Sequence, residues 1–297
     1  METEWSKKIV SLLEKTSAGG RYRSFEIFDD WLSICDATLQ QLPSHMKNRS
    51  RNLPMVDAPE TVGLMKHMWS RHLLKSMEYF SQAFAVLIES VMAGGNDTLG
   101  DVYQEYAFPN PGTGQYFSPM PLAQVMAWGM CQGIEKEIRQ RITDAVDRSP
   151  MAKAAAMAGL MLKEEDIPAY YFSRIVPLAL PTYEPYIISD PCCGSGVMFI
   201  AAAEQLPAWV VHYNLVRFYG MDIDERCVKM TRTALRLRGL NGYAACALSA
   251  TDQELAMLPK PYAVQYTEAR EAHRTGDKER VLEILADVRG MKQATLF

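Results

Sequence analysis

The sequence lacks the features that would place the protein in a membrane or outside the cell. It has no run of about 18 apolar residues, and a helix needs roughly that length to cross a bilayer. The N-terminal stretch METEWSKKIVSLLEK mixes charges in an amphipathic pattern and has no apolar core of the kind found in secretory signals. These absences predict a soluble, cytoplasmic protein that does not span a membrane.

The sequence also has no disulfide framework and no metal-binding spacing. Cys192 and Cys193 are adjacent, the other four of the six cysteines are scattered, and no CxxC or HxxxH pattern lies near them. Free thiols in a reducing compartment are therefore favoured over disulfides, and no metal site is predicted.

Charge of one sign is not in excess. The 31 Lys and Arg against 35 Asp and Glu give a net charge of −4 at pH 7. A protein of this kind has no global attraction to nucleic acid, so any contact with DNA would depend on a local basic patch.

The first part of the chain is predicted to be helical. At 297 residues the chain has room for one large domain or two modest ones. Residues 25–42 carry apolar side chains at spacings of three and four, and residues 70–95 repeat that pattern more strongly until Gly94 and Gly95 end it. We therefore predict an N-terminal helical region over 1–95 and a second domain over 96–297.

Between these helices, residues 43–60 are rich in Pro, Ser and Asn and are predicted to form a loop. Lys47, Arg49 and Arg51 form a short basic run in it. The run is either a solvated part of the loop or a contact to phosphate.

The pattern changes at Tyr186 from helical to alternating strands and helices. A short apolar strand at 186–190 leads through the turn PCCGSG into a helix, and a second strand at 216–224 leads into a helix that Gly239 closes. Residues 243–248 are a candidate third strand and 262–266 a weak fourth. This order predicts an α/β fold with a parallel sheet.

Gly194 and Gly196 follow the first strand directly and open a helix, which is the context of a ligand-binding turn. Asp222, at the tip of the second strand, is a candidate for binding a ribose diol, with Asp224 in reserve. The alternative is that these acids only cap the following helix, and Asp224 stands where an N-cap belongs.

Three segments together resemble adenine-N6 DNA methyltransferases of the gamma class, especially the modification subunits of type I restriction systems. DPCCGSG (190–196) is similar to the family's S-adenosylmethionine motif, which typically reads Asp-Pro-small-Cys-Gly-Ser-Gly. TGQYFSP (113–119) resembles the upstream cofactor loop, and YGMDIDERCVKMTRTALRLRGL resembles the strand and helix that hold the ribose. The resemblance covers roughly residues 96–243 and implies a Rossmann-like S-adenosylmethionine-dependent methyltransferase fold.

The resemblance also implies which residues bind S-adenosylmethionine. Its methionine end would lie along the upstream loop, its amino group near Asp190, its ribose at Asp222 and its adenine at Ile223. The aromatic part of that loop has an alternative role as a structural anchor. The residues assigned to the cofactor are Thr113, Gln115, Phe117, Pro119, Asp190, Cys192, Gly194, Gly196, Asp222 and Ile223.

The family's catalytic motif, Asn/Asp-Pro-Pro-Tyr/Phe, is not found. The nearest string is PKPY (259–262), in which Pro259 stands at the amide position and Lys260 carries a positive charge that cannot accept hydrogen bonds. Tyr262 is the weak catalytic candidate that remains, and the string otherwise predicts a turn before a strand. Either Thr251 or Asp252 would stand where the family has a third cofactor contact, and the sheet is expected to be truncated.

Two functions follow from the resemblance. One is adenine-N6 methylation of DNA within a restriction-modification system, alone or with a partner subunit that supplies catalytic or specificity elements. The alternative is a catalytically degenerate protein that binds S-adenosylmethionine in a regulatory or assembly role.

Overall fold

The computed structural model describes residues 2–16, 21–107 and 117–294, and these are mostly helical around a small parallel sheet. No helix in these ranges combines the length and the apolar character needed to span a membrane. The helices are α1 (Glu2–Thr16), α2 (Ser24–Ser50), α3 (Pro59–Arg71), α4 (Leu74–Met92), α5 (Thr98–Val102), α6 (Met120–Met130), α7 (Ile134–Arg148), α8 (Pro150–Gly159), α9 (Ile167–Tyr170), α10 (Val176–Ala179), α11 (Val197–Gln205), α12 (Ala208–His212), α13 (Glu225–Leu237), α14 (Asp252–Leu255), α15 (Lys260–Thr275) and α16 (Lys278–Ala294).

The helix predicted over 25–42 is longer than its apolar pattern indicated. α2 continues through Pro43 to Ser50, so the loop prediction was wrong for the first part of 43–60. A proline removes one hydrogen bond and bends a helix, but it does not have to end it. Lys47 and Arg49 lie in the last turn, where the negative end of the helix dipole favours cations.

The single helix predicted over 70–95 is two helices, α3 and α4, separated at His72 and Leu73. Both residues have an extended backbone. The buried His72 ring places its Nε2 atom 2.7 Å from Oδ2 of Asp30 in α2, a tertiary contact that the local pattern does not contain. The predicted stop was correct, because α4 ends at Met92 and Gly94 has φ +79°.

Three strands form the parallel sheet of the described residues, in the order β1 (Tyr186–Asp190), β2 (Val216–Asp222) and β3 (Gly242–Cys246). β1 and β2 were predicted from the sequence, and β3 corresponds to the candidate third strand at 243–248. Asp190 pairs with Gly220, and Asp222 pairs with Cys246. Because the strands are parallel, their carboxyl ends lie at one edge of the sheet.

The weak fourth strand at 262–266 was wrong, and so was the turn assigned to PKPY. Pro259 is the N-cap of α15 and Pro261 lies in its first turn, a position that suits proline because the amide there has no partner inside the helix. The buried side chains Tyr262, Tyr266 and Ala269 have helical spacing rather than the alternation of a strand.

Helices cover both faces of the sheet. Apolar side chains of α11 and α13 pack with Phe218 and Ala244 on one face. Side chains of α15 and α16 pack with Tyr219, Met221 and Ala245 on the other. β2 and β3 therefore lie between two apolar clusters, whereas Ile187 of the edge strand β1 is exposed.

α13 also joins the sheet to the N-terminal helices. Lys229 Nζ lies 3.0 Å from Asp29 of α2, and Arg232 Nη2 lies 3.1 Å from Asp36. Arg236 forms a further ion pair with Asp36. Cys227 and Met230 of α13 are buried in the same cluster as the apolar faces of α1, α2 and α4.

Candidate functional site

Both glycines of the turn between β1 and α11 stand where a side chain would be strained and would lie very close to a neighbouring residue. Gly194 has φ +55° and Gly196 has φ +89°, a region that side chains disfavour. A Cβ atom at Gly196 would come within 3.3 Å of Thr231 in α13, and one at Gly194 within 3.0 Å of the Phe117 ring. The turn thus lies directly against α13 on one side and against Phe117 on another.

Two carboxylates stand at the carboxyl ends of β1 and β2 and bind the backbone of the turn. Asp190 Oδ1 accepts from the amide of Cys192 at 2.9 Å, and Asp222 Oδ2 accepts from the amide of Gly194 at 3.0 Å. Each of these aspartates is only 7% exposed. The structure therefore brings Asp190, Asp222 and the glycine turn together, as the sequence predicted.

Asp224 has the capping role that the sequence left open. Its Oδ1 atom accepts from the amide of Arg226 at 2.9 Å, and its carboxylate pairs with the Arg226 guanidinium. Asp222 Oδ1 accepts from the amide of Asp224 at 3.0 Å. Asp224 begins α13, whereas Asp222 ends β2 beside the turn.

Of the upstream loop, Phe117 and Pro119 lie in the described residues, and Thr113 and Gln115 lie outside them. The Phe117 ring also contacts Tyr103, with 5.3 Å between ring centroids. Pro119 is the N-cap of α6. The loop and the glycine turn therefore meet through Phe117.

Tyr266 of α15 is a member of the site that the sequence did not indicate. Its hydroxyl donates to the carbonyl oxygen of Pro191 and lies 3.6 Å from Sγ of Cys192. Burial raises the pKa of Tyr266 well above its ordinary value, so the hydroxyl keeps its proton. Ile223 and Cys192 are partly buried against the same cluster.

Tyr262, the weak catalytic candidate, lies one turn before Tyr266 in α15. Its side chain is buried among apolar neighbours of the cluster under the sheet. Lys260, the first residue of this helix, is exposed. The proline-rich start of α15 and the four-residue spacing of Tyr262 and Tyr266 are typical of a helix with both tyrosines on one face. These two features of the sequence could have indicated Tyr266.

The two candidates for a third cofactor contact have separate structural partners. Thr251 caps α14, where its hydroxyl accepts from the amide of Glu254 at 3.3 Å. Asp252 Oδ1 lies 2.6 Å from the Arg270 guanidinium of α15.

Asp97 supplies a third carboxylate contact to the turn, and the sequence did not indicate it. It caps α5, because its Oδ1 atom accepts from the amide of Gly100 at 3.0 Å. Its Oδ2 atom also accepts from the Ser195 hydroxyl at 2.5 Å. Burial raises the pKa of Asp97 to about 7, and the Ser195 and Gly100 bonds oppose that rise.

The arrangement suits a small molecule that carries both a cationic group and hydroxyls. Buried carboxylates bind cations and hydroxyl donors, and each can accept several hydrogen bonds. The glycine turn lets such a ligand approach the backbone closely.

Comparisons with known proteins agree with the resemblance over part of the chain. Residues 171–256, which include the sheet and the glycine turn, match the family model described as N-6 DNA Methylase. A segment of 55 residues is 38% identical to the type I restriction enzyme MjaIX methylase subunit of Methanocaldococcus jannaschii. It covers 18% of this chain and 10% of that protein. No solved structure matches.

These matches confirm a resemblance to N6-adenine methyltransferases and support a DNA methyltransferase-like function. The matched segment spans about a tenth of the length of the curated relative.

Proposed function

We propose that this chain binds S-adenosylmethionine at the carboxyl ends of β1 and β2 and serves adenine-N6 methylation of DNA. The observation that carries the proposal is the meeting of Phe117, the glycine turn, Asp190 and Asp222 at one place. Three segments that are separate in the sequence, each resembling a cofactor motif, thus converge.

The residues present fit this cofactor. Its amino group is cationic, and Asp190 would accept from it at the end of β1. Asp222 would accept from the ribose hydroxyls at the end of β2, beside the Gly194 amide that it already binds. Cys192 and Ile223 would line the cofactor from the side of the α15 cluster. When bound, S-adenosylmethionine supplies the methyl group that is transferred.

The course of the chain supports a Rossmann-like, doubly wound sheet. The connections β1–α11–β2 and β2–α13–β3 run on one face, and the chain crosses to the other face after β3. In such sheets the change of face accompanies a return to the far side of the first strand, and ligands bind at that switch point. β1 lies at the edge of the described sheet, so its outer side is where a further strand would pair.

The chemistry of N6 methylation needs an acceptor that the quoted motifs do not supply. Enzymes of this kind flip the target base out of the duplex. The N6 lone pair is delocalised into the ring, so the amino hydrogens must be held by acceptors. PKPY offers an exposed lysine and a buried tyrosine at a helix start instead. We propose that a partner subunit supplies this element next to β1.

The burial of Tyr262 also favours a second candidate function. A chain with an intact cofactor site and no amide acceptor would bind S-adenosylmethionine in a regulatory or assembly role. It would gain no activity from any partner that carries the catalytic motif.

Tritiated methyl transfer to unmethylated DNA distinguishes these functions. The purified chain alone should transfer about 10²–10³-fold more slowly than an ordinary enzyme, because one transition-state acceptor is missing. Addition of a partner that carries Asn-Pro-Pro-Tyr should restore turnover in the methyltransferase case and leave it absent in the regulatory case. Ordinary turnover by the chain alone would contradict the proposed absence of an acceptor.

A further inference from the structure

Ser195 lies between the two glycines of the turn, and its hydroxyl has a partner from a distant part of the chain. The residue is fully buried, and its Oγ atom donates to Asp97 Oδ2 at 2.5 Å. Asp97 belongs to the short segment between α4 and α5. This bond therefore ties the end of the N-terminal helices to the middle of the glycine turn.

Asp97 is itself held in place from two directions. Its Oδ1 atom accepts from the Gly100 amide, which caps α5. The Arg238 guanidinium, at the end of α13, donates to the carbonyl oxygen of Gly95 at 2.6 Å and also to that of Asn96. A side chain fixed in this way can in turn fix what it binds.

Gly194, which precedes Ser195, is held through its backbone atoms. Asp222 accepts from the Gly194 amide, and the Thr231 hydroxyl donates to the Gly194 carbonyl oxygen at 3.0 Å. Among the side-chain bonds described for residues 194–196, the Asp97–Ser195 bond holds a side chain of the turn rather than its backbone. The backbone of Gly196 is held separately, because its amide donates to the Cys193 carbonyl oxygen at 2.8 Å and its carbonyl oxygen accepts from the amides of Phe199 and Ile200. Loss of the Asp97–Ser195 bond would therefore free the middle of the turn, at Ser195, from the N-terminal segment.

We infer that Asp97 is a positioning residue for the cofactor turn, acting through Ser195 to fix the middle of the turn between Gly194 and Gly196 against the N-terminal segment. The inference rests on the proposed function, because it gives Asp97 a role in binding S-adenosylmethionine. Asp97 does not itself touch the reacting atoms.

The charge on Asp97 gives this role a distinctive readout. Burial raises its pKa to about 7, the bonds from Ser195 and Gly100 lower it, Asp101 of α5 raises it and Arg238 of α13 lowers it. The ionised carboxylate accepts from both donors, and a cationic cofactor nearby favours the ionised form. Affinity for the cofactor should therefore rise with pH between about 6 and 8.

The first test is hydrogen exchange, which does not depend on cofactor binding. Peptides that cover residues 190–198 should exchange faster in Asp97→Ala and in Ser195→Ala than in the wild type. Asp277→Ala is the matched control, because Asp277 caps α16 through the Arg280 amide at 3.0 Å and lies outside the turn and its described side-chain contacts. Unchanged exchange at 190–198 in both turn variants would overturn the inference even in a protein that binds no cofactor.

The second test is calorimetry with S-adenosylmethionine at pH 6, 7 and 8. Asp97→Ala and Ser195→Ala should each weaken binding by about tenfold, the factor given by one lost hydrogen bond. The double variant should bind the cofactor no more weakly than the single variant of lower affinity. In Asp97→Asn the affinity should change less with pH than it does in the wild type. Additive losses in the double variant, or the same pH profile in Asp97→Asn and wild type, would overturn it. No binding by the wild type would refute the proposed function and leave the exchange test to decide the positioning role.

Discussion

The Phe117 ring lies against Gly194 so closely that a Cβ atom on the glycine would stand 3.0 Å from Cδ1 of the ring. The resemblance assigned both residues to one cofactor, and the structure places them side by side. Because Phe117 lies against the glycine turn, a side chain introduced at Gly194 would collide with its ring.

Replacing Gly194 by alanine should damage both stability and cofactor binding. The new methyl group would meet Phe117, and the left-handed backbone alone costs about 1–2 kcal/mol with a side chain present. Gly239→Ala is the matched control, since Gly239 has φ +63° and no heavy atom within 4 Å of its Cβ position. Urea unfolding should show both variants destabilised, and calorimetry should show weaker cofactor binding in Gly194→Ala alone. Equal cofactor affinity in the two variants would contradict this account.

Substitutions at Asp222 and Asp224 should have different effects, because we assign Asp222 to ligand binding and Asp224 to helix capping. Asp222→Ala removes the acceptor of the Gly194 amide and the proposed ribose contact, and should weaken cofactor binding by about 1–3 kcal/mol. Asp224→Ala removes an N-cap and should cost about 0.5–2 kcal/mol in the free energy of unfolding. Its cofactor affinity should stay near that of the wild type. A larger loss of affinity in Asp224→Ala than in Asp222→Ala would reverse the assignment.

The features of the fold that depend on neighbouring residues in the chain could be predicted from the sequence. β1, the glycine turn and β2 each follow from residues that are close together in the chain. The end of α4 at Gly94 is also a local effect.

The missed features depend on contacts between distant residues. The break at His72 depends on Asp30 of another helix, and the Asp97–Ser195 bond joins two segments that no pattern connects. The first part of α15 was mistaken for a weak strand because five residues, 262–266, were considered apart from the proline-rich start that makes them helical. Periodicity over a longer window resolves such short apolar runs.

The ion pairs between α2 and α13 should hold the N-terminal helices against the sheet. Asp36 contacts both Arg232 and Arg236, so Asp36→Ala leaves two partly buried guanidinium groups without that carboxylate. We expect a loss of about 1–3 kcal/mol in the free energy of unfolding. Glu165→Ala, which breaks an exposed pair with Lys163, should change it by less than about 0.5 kcal/mol. Limited proteolysis that releases residues 1–94 from the wild type as rapidly as from Asp36→Ala would show that these pairs do not hold the interface.

Asp97 should make the stability of the protein depend on pH. Its pKa is raised from 3.8 to about 7 by burial, so the native state keeps a proton that the unfolded chain has already released. In that window the native state binds more protons, and the free energy of unfolding falls as pH rises from about 4 to about 7.

The Asp97→Asn variant isolates this dependence. The amide does not ionise. The free energy of unfolding of the variant, relative to that of the wild type, should therefore rise by on the order of 1–3 kcal/mol between pH 5 and pH 8. Urea midpoints of the two proteins, compared at each pH, cancel the contributions of the other groups. If the difference in the free energy of unfolding between the two proteins were the same at every pH in this range, Asp97 would not titrate there.

The central claim is that the glycine turn and the two strand-end aspartates form a site for S-adenosylmethionine. Calorimetry with the purified, folded chain tests it most directly. We predict measurable binding by the wild type, at least about fivefold weaker binding by Gly194→Ala and by Asp222→Ala, and wild-type affinity in Gly239→Ala. No heat of binding from the folded wild type, under conditions in which an established S-adenosylmethionine-binding enzyme gives a clear signal, would contradict the claim.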